Sequence, residues 1–273
     1  MRKIFSHALL LALLLCTHAV LAQAVPRSAE DFYNRGVERL MREDYAGALA
    51  DLDRAIALRP DHAESYFWRS FAQDGRARQE TDFKKHNEFG DATRADIDKA
   101  VALAPGRAMV YKRRATYRLT FAVEGEEIEE VIVNLTKAIA LDPYDAELFF
   151  LRGSTLMLKE DFAGALADHD RAIRLSPANA SYYGGRAHLK LVFLGDYEGA
   201  VADASKTVEL GKGEGEFAYE HHAVRAKALL ALGREAEAET DLRKCRSLNP
   251  RCDEKLERMS ELMEKSKRKR KAK

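Results

Sequence analysis

The sequence has no glycine-rich phosphate loop, no His-Glu-x-x-His and no Cys-x-x-Cys. Phosphate cradling, zinc-hydrolase chemistry and dithiol exchange therefore lack their usual footholds. Nucleophile motifs built on Ser or Cys are missing as well. The one adjacent histidine pair is His221-His222, and neighbours on a helix point apart, so the pair does not make a metal site. Proline and cysteine are scarce, at six and three residues. What is present is a chain of 273 residues, 46% hydrophobic and 8% aromatic, a composition that suits a folded, helix-rich protein and argues against disorder. No catalytic, cofactor-binding or metal-ligating residue is expected, no cofactor is called for, and the chain does not read as an enzyme.

Acid is missing from both ends. Residues 1–24 hold Arg2 and Lys3 and no carboxylate, and residues 265–273 hold Lys265, Lys267, Arg268, Lys269, Arg270, Lys271 and Lys273, again with none. The formal charge of +1 thus hides a net acidic body and a strongly basic tail. At the N-terminus the basic pair, the apolar run Ala8–Leu15 and the small residues Ala22 and Ala24 have the anatomy of a secretory signal peptide. Residues 1–24 are read as that leader, so the protein is expected to be exported, periplasmic or secreted, with no transmembrane segment after cleavage. The alternative is an uncleaved anchor, but the run is short for a span and Thr17 and His18 interrupt it. Cleavage removes Cys16 and leaves Cys245 and Cys252. In an oxidising compartment the two can bridge; otherwise Cys245 is a small core residue.

The prolines expose a repeat. Asp51-Leu-Asp-Arg-Ala-Ile-Ala-Leu-Arg-Pro60 recurs in segments ending at Pro105, Pro143, Pro177, Lys212 and Pro250, at spacings of 45, 38, 34, 35 and 38 residues. Each segment has apolar residues at helical spacing and ends where proline cannot continue a helix. A second helical stretch precedes each one, joined to it by turns such as Glu43-Asp44-Tyr45, Glu160-Asp161-Phe162 and Gly195-Asp196-Tyr197. The excess residues near 75–89 of the second unit either lengthen both helices or form a loop.

A 34-residue helix–turn–helix with small residues at fixed points and a terminal proline resembles the tetratricopeptide repeat. The small residue of the first helix is matched by Gly36, Ser70, Ala115, Gly153, Ala187 and Ala226, and its aromatic by Phe32, Tyr66, Tyr111, Phe149 and Tyr183, with His222 departing. The resemblance covers residues 29–250. It implies an all-α, right-handed superhelical solenoid of about six helix–turn–helix units. Residues 251–264 follow as a capping helix with Leu256, Met259 and Met263 on one face. Residues 265–273 are expected to be a disordered basic tail.

Two charged columns run through the repeats. Arg35, Arg69, Arg114, Arg152, Arg186 and Arg225 share one place in the first helices; Asp51, Asp96, Asp168, Asp203 and Asp241 share one place in the second, with Asn134 in the third copy. Their joint recurrence predicts a structural ladder of bidentate pairs in preference to an anion-binding stripe. Asp51/Asp53 and Asp168/Asp170 recur with the same period, which favours architecture over acid–base catalysis.

The resemblance further implies a non-catalytic scaffold that binds a peptide or protein segment on its concave face. Tyr33, Phe67, Phe71, Lys112, Phe150 and Met157 map to that face; inter-repeat packing is the competing role for the aromatics. Tyr33 and Val37 stand where a carboxylate-gripping clamp of this family would need its first Lys and Asn, so that activity is not carried over. The alternative function is a nucleic-acid or polyanion binder acting through the tail. The tail also suits an anionic partner, but it lacks the aromatic residues that stack on bases, which disfavours nucleic acid.

Overall fold

A computed structural model of the protein describes residues 28–120, 126–211 and 218–271. The expected leader at 1–24 lies outside the described residues, as do Ala272 and Lys273. Among the described residues the protein is a helical-repeat solenoid without strands. Its helices are α1 (Ala29–Met41), α2 (Tyr45–Leu58), α3 (Ala63–Gln79), α4 (Phe83–Leu103), α5 (Ala108–Leu119), α6 (Glu126–Leu141), α7 (Ala146–Leu158), α8 (Phe162–Leu175), α9 (Ala180–Leu189), α10 (Tyr197–Leu210), α11 (Ala218–Ala231), α12 (Glu235–Leu248) and α13 (Cys252–Lys271). A π-helical segment, Lys190–Leu194, extends α9.

Helix boundaries follow local chemistry. Ser28 opens α1 with a capping box: its hydroxyl accepts from the Asp31 amide at 3.0 Å while the Asp31 carboxylate accepts from the Ser28 amide at 3.0 Å. Asp44, Asp161 and Asp196 cap α2, α8 and α10 by accepting from the amides of Gly47, Gly164 and Gly199. The turns before these caps need a left-handed residue, supplied by Glu43 and Glu160 (both φ 61°) and Gly195 (φ 72°). Proline stands two residues beyond the ends of α2, α4, α6, α8 and α12.

Two compact units divide the chain, one ending at Pro105 and the other beginning at Gly106. In the first, α1 pairs with α2 and α3 with α4, and α2 packs on α3. Its core joins Leu40, Ala48, Leu52 and Ala72 to Tyr33, Tyr45, Leu49, Trp68 and Phe71. Fully burying a leucine such as Leu52 contributes roughly 1.5–3 kcal/mol. Close approach depends on the small-residue column: a Cβ on Gly36 would fall 2.8 Å from Leu52 Cγ. The surplus residues near 75–89 lengthen both helices, to 17 residues in α3 and 21 in α4.

In the second unit α5 pairs with α6, α7 with α8, α9 with α10 and α11 with α12. Here a Cβ on Gly153 would meet His169 Cδ2 at 2.9 Å. Cys245 and Cys252 are bridged, with Cα atoms 5.7 Å apart, at the junction of α12 and α13. Both lie fully buried in one core with Met259, Leu191 and Val192.

The last helix corrects the expected boundaries. α13 does not stop at 264 but continues to Lys271, so the described part of the tail is helical. Instead of only covering the end of α12, α13 also packs along α11 and the π segment. Ser266 is buried and its hydroxyl donates to the Phe193 carbonyl at 3.2 Å. Lys269 pairs with Glu160, and Arg270 donates to the same Phe193 carbonyl. Lys and Arg are good helix formers, and cations in a last turn suit the negative end of the helix dipole. The tail thus meets the conditions for order once acceptors are within reach.

Candidate functional site

The charged columns form inter-helical clamps. Arg35 donates to Asp51 at 2.7 and 2.5 Å, Arg69 to Asp96 at 2.7 and 2.6 Å, Arg152 to Asp168 at 2.7 and 2.8 Å, Arg186 to Asp203 at 2.8 and 2.6 Å, and Arg225 to Asp241 at 2.7 and 2.7 Å. Arg114, facing Asn134 in place of an aspartate, has Glu130 at 3.6 Å, and Asn134 donates to the Glu130 carbonyl.

A second acceptor was not expected. Arg69 also donates to Asp53 at 2.6 Å, Arg186 to Asp170 at 2.6 Å, Arg152 to Thr136 at 3.2 Å and Arg225 to Ser205 at 3.4 Å. Each of these acceptors stands two residues past the aspartate position of the preceding repeat, so one guanidinium ties two repeats. The Asp-x-Asp spacing at Asp51/Asp53 and Asp168/Asp170 was the signal. The aromatic column lies under the same cations: Arg35, Arg69, Arg152 and Arg186 sit 5.4–5.9 Å from the ring centroids of Phe32, Tyr66, Phe149 and Tyr183. These arginines are occupied by architecture, so they do not form an open anion stripe. His222, which breaks the aromatic column, donates its Nδ1–H to the Asp241 carboxylate at 2.7 Å. Burial works to raise the Asp241 carboxyl, but the bonds with His222 and Arg225 outweigh it and hold it below its usual range.

Of the six residues mapped to the concave face, five are engaged in packing or pairing. Phe67 is only 7% exposed and makes edge contacts with Trp68 and Phe71 at 5.2 Å, so it is core. Tyr33 and Phe71 pack on the Leu40–Leu52 core, and Tyr33 meets His62 edge-on. Phe150 lies against Tyr182 at 5.0 Å and His169 at 5.3 Å. Lys112 is bound to Asp145 at 3.0 Å and to Glu147; burial opposes its charge, but these bonds outweigh it and raise its pKa. These residues are long or aromatic, and in stacked repeats such side chains fill the spaces between helices before they face a ligand.

Met157 does line a cavity. It belongs to a groove of about 740 Å³ in the second unit, floored by α7, α9 and α11 and walled by α13. Sequence reading missed its other key residues. Gly184 and Gly185 leave α9 bare of side chains at the floor. Gly185 is required for contact, since a Cβ there would fall 2.6 Å from Phe150 and 2.8 Å from His169. Gly184 is merely tight, with His221 Nε2 at 3.3 Å from its missing Cβ. His188 and His221 line the walls. Burial, helped by the Lys255 charge, pushes His188 down to about 4, and burial also lowers His221. Both are therefore neutral near pH 7. The charged lining residues, Glu220 and Lys255, neutralise each other at 2.9 Å. The groove offers methylenes, thioether and neutral imidazole, with small residues below. Among the described residues no group of three or more His, Cys, Asp or Glu is arranged to hold a metal, and no helix is long and apolar enough to cross a membrane.

Comparison with known proteins agrees with this architecture. Residues 222–252 match the tetratricopeptide repeat family. The DnaJ homolog subfamily C member 7 homolog of Dictyostelium discoideum is 22% identical over 161 residues, covering 58% of this chain; the chain spans only 30% of that relative's length. Among solved structures, PilW, a type IV pilus biogenesis factor, matches with a TM-score of 0.67 at 16% identity over 85% of this chain and 98% of its own. YrrB, a tetratricopeptide-repeat protein with an unusual peptide-binding site, matches with a TM-score of 0.54 at 16% identity over 76% of this chain and 92% of its own. Residues 222–252 thus match a tetratricopeptide repeat, and the described helix pairs are similar in fold to tetratricopeptide-repeat proteins of known structure.

Proposed function

We propose that the protein holds an extended, uncharged, largely apolar segment of a partner protein in the groove of α7, α9 and α11. The observation that carries this reading is the groove itself: about 740 Å³, open over the bare Gly184–Gly185 floor, with its charges paired. An extended segment suits it because alternate side chains can enter while the backbone runs along the wall. Ser181 lines the groove and is exposed, so Ser181→Trp fills it without touching the core. A random dodecapeptide display library panned on the full chain should enrich apolar, uncharged sequences whose binding drops about tenfold or more in Ser181→Trp. Enrichment of strongly charged peptides, or equal binding by the variant, would overturn the assignment.

The reading includes export, with residues 1–24 removed as a leader. What supports it, beside the leader's composition, is the bridge between the two cysteines that remain, since disulfides persist in oxidising compartments. N-terminal sequencing of the mature protein should begin at Gln23 or Val25; an intact Met1 would refute it.

A further inference from the structure

On the other side of Phe193 and Leu262 lies a second cavity of about 460 Å³, which the groove reading leaves unused. Its floor is apolar. Phe162, the first residue of α8, and Phe193, in the π segment, stack with centroids 4.7 Å apart and planes at 21°, and Leu262 of α13 completes the surface. Its rim is cationic, because the last turns of α13 bring Lys265, Lys269 and Arg270 over that floor.

The cations are placed by the fold. Gly195 is left-handed at φ 72°, and a Cβ there would lie 3.1 Å from Arg270 Nη2, so glycine leaves the guanidinium its seat uncrowded. Arg270 and Ser266 both donate to the Phe193 carbonyl, which fixes the end of α13 against the π segment. Lys269 is paired with Glu160, the one carboxylate of the lining. Lys265 has no ion-pair partner among the described residues. Three cations thus face one carboxylate above a hydrophobic floor.

We propose that this cavity docks an acidic peptide segment carrying one bulky apolar side chain. The side chain would rest on Phe162, Phe193 and Leu262, and flanking carboxylates would meet Lys265 and the outer edges of Lys269 and Arg270. Charge complementarity selects an acidic partner, and the volume takes a few side chains, well short of a whole helix. Nucleobases are a poorer match, because each Phe ring already has one face covered by the other.

The test uses the full chain and a fluorescein-labelled Glu-Asp-Phe-Asp-Glu peptide followed by anisotropy. Binding should weaken as salt rises and fall about tenfold or more in Lys265→Glu, an exposed helix position whose replacement leaves the fold intact. Phe162→Ala, or Ala in place of the peptide's Phe, should weaken it similarly, and Glu-Asp order should not matter. Ser181→Trp should leave it unchanged, which separates this site from the groove. No binding, binding indifferent to Lys265→Glu, or equal binding of Lys-Lys-Phe-Lys-Lys would overturn the proposal. So would phosphatidylglycerol vesicles or an oligothymidine strand that bind through Lys265 and are not displaced by the peptide.

Discussion

The first unit, α1–α4, keeps close to the repeat's own devices: bidentate arginine clamps at Arg35 and Arg69, a cluster of Phe67, Trp68 and Phe71, and helices lengthened in step. The second unit, α5–α13, uses the same clamps but departs from the pattern repeatedly. It substitutes Asn134 for an aspartate, buries His169, inserts a π segment, bridges two cysteines and folds a last helix back along α11. Both cavities described above lie within this unit. Regular repeats bury their small residues at helix crossings and leave little space. A groove opens where the regular pattern is interrupted, here by paired glycines on α9 and a helix that returns over its neighbours.

The comparison can be broken first at the clamps. Arg69→Leu strands the buried Asp96 and loosens Asp53 of the previous repeat, so it should lower stability by about 3 kcal/mol. Arg114→Leu in the second unit, with Glu130 half-exposed at 3.6 Å, should lower it by about 1 kcal/mol or less. Equal losses in urea melts would show that the bidentate geometry contributes nothing.

Acid should separate the units next. Burial holds His169 down at about 4, from an ordinary 6.5, and neither ring nitrogen has a hydrogen-bond partner among the described residues. A base with a depressed folded pKa gives stability that is present above 6.5 and is lost as pH falls toward 4. At pH 4.5 that loss should be about 2 kcal/mol. Asp96 in the first unit has the opposite sign: burial raises its carboxyl more than Arg69 lowers it, so its contribution favours folding below the ordinary carboxylate range. His169→Leu, of similar bulk, should flatten the acid dependence between pH 6.5 and 4, measured by circular dichroism melts. An unchanged profile would mean that His169 is not the group that titrates.

Reduction should act on the second unit alone. Opening the Cys245–Cys252 bridge, which closes a short loop, should lower its stability by about 2 kcal/mol. The protein's single tryptophan, Trp68, reports the first unit. Its fluorescence melt should stay put while the far-ultraviolet melt shifts down under reductant. A matching shift in both would show that the units unfold together.

The smallest contrast is at the left-handed turn residues. Glu43→Gly should stabilise the first unit by about 1 kcal/mol, since a side chain at φ 61° is strained. Glu160→Gly should yield less, because it also loses the pair with Lys269. Equal gains in parallel chemical melts would mean that the tail pair adds nothing.

Much of the architecture was written in local chemistry. The five prolines past the helix ends, the small residues at crossings and the joint Arg and Asp columns each act through their immediate neighbours, and so recur visibly at the repeat period. The site was less legible. Phe67 and Met157 are both apolar residues on first helices, yet one is core and the other lines the groove, a difference set by what stacks above each. The π segment left a faint trace: Arg186 and Asp203 are 17 residues apart where Arg152 and Asp168 are 16, and the wider turn between Lys190 and Leu194 absorbs the extra residue.

Sequence by itself determined the helices, their pairing and the clamps, because propensity, capping and periodic charge act over one or two turns. Only the tertiary structure decided where the basic tail goes and where space remains. A run of Lys and Arg is equally compatible with a solvated coil or a helix until acceptors such as Glu160 and the Phe193 carbonyl are brought within reach. Those acceptors lie 73 to 109 residues away in sequence, a separation over which local chemistry carries no information and packing alone makes the choice.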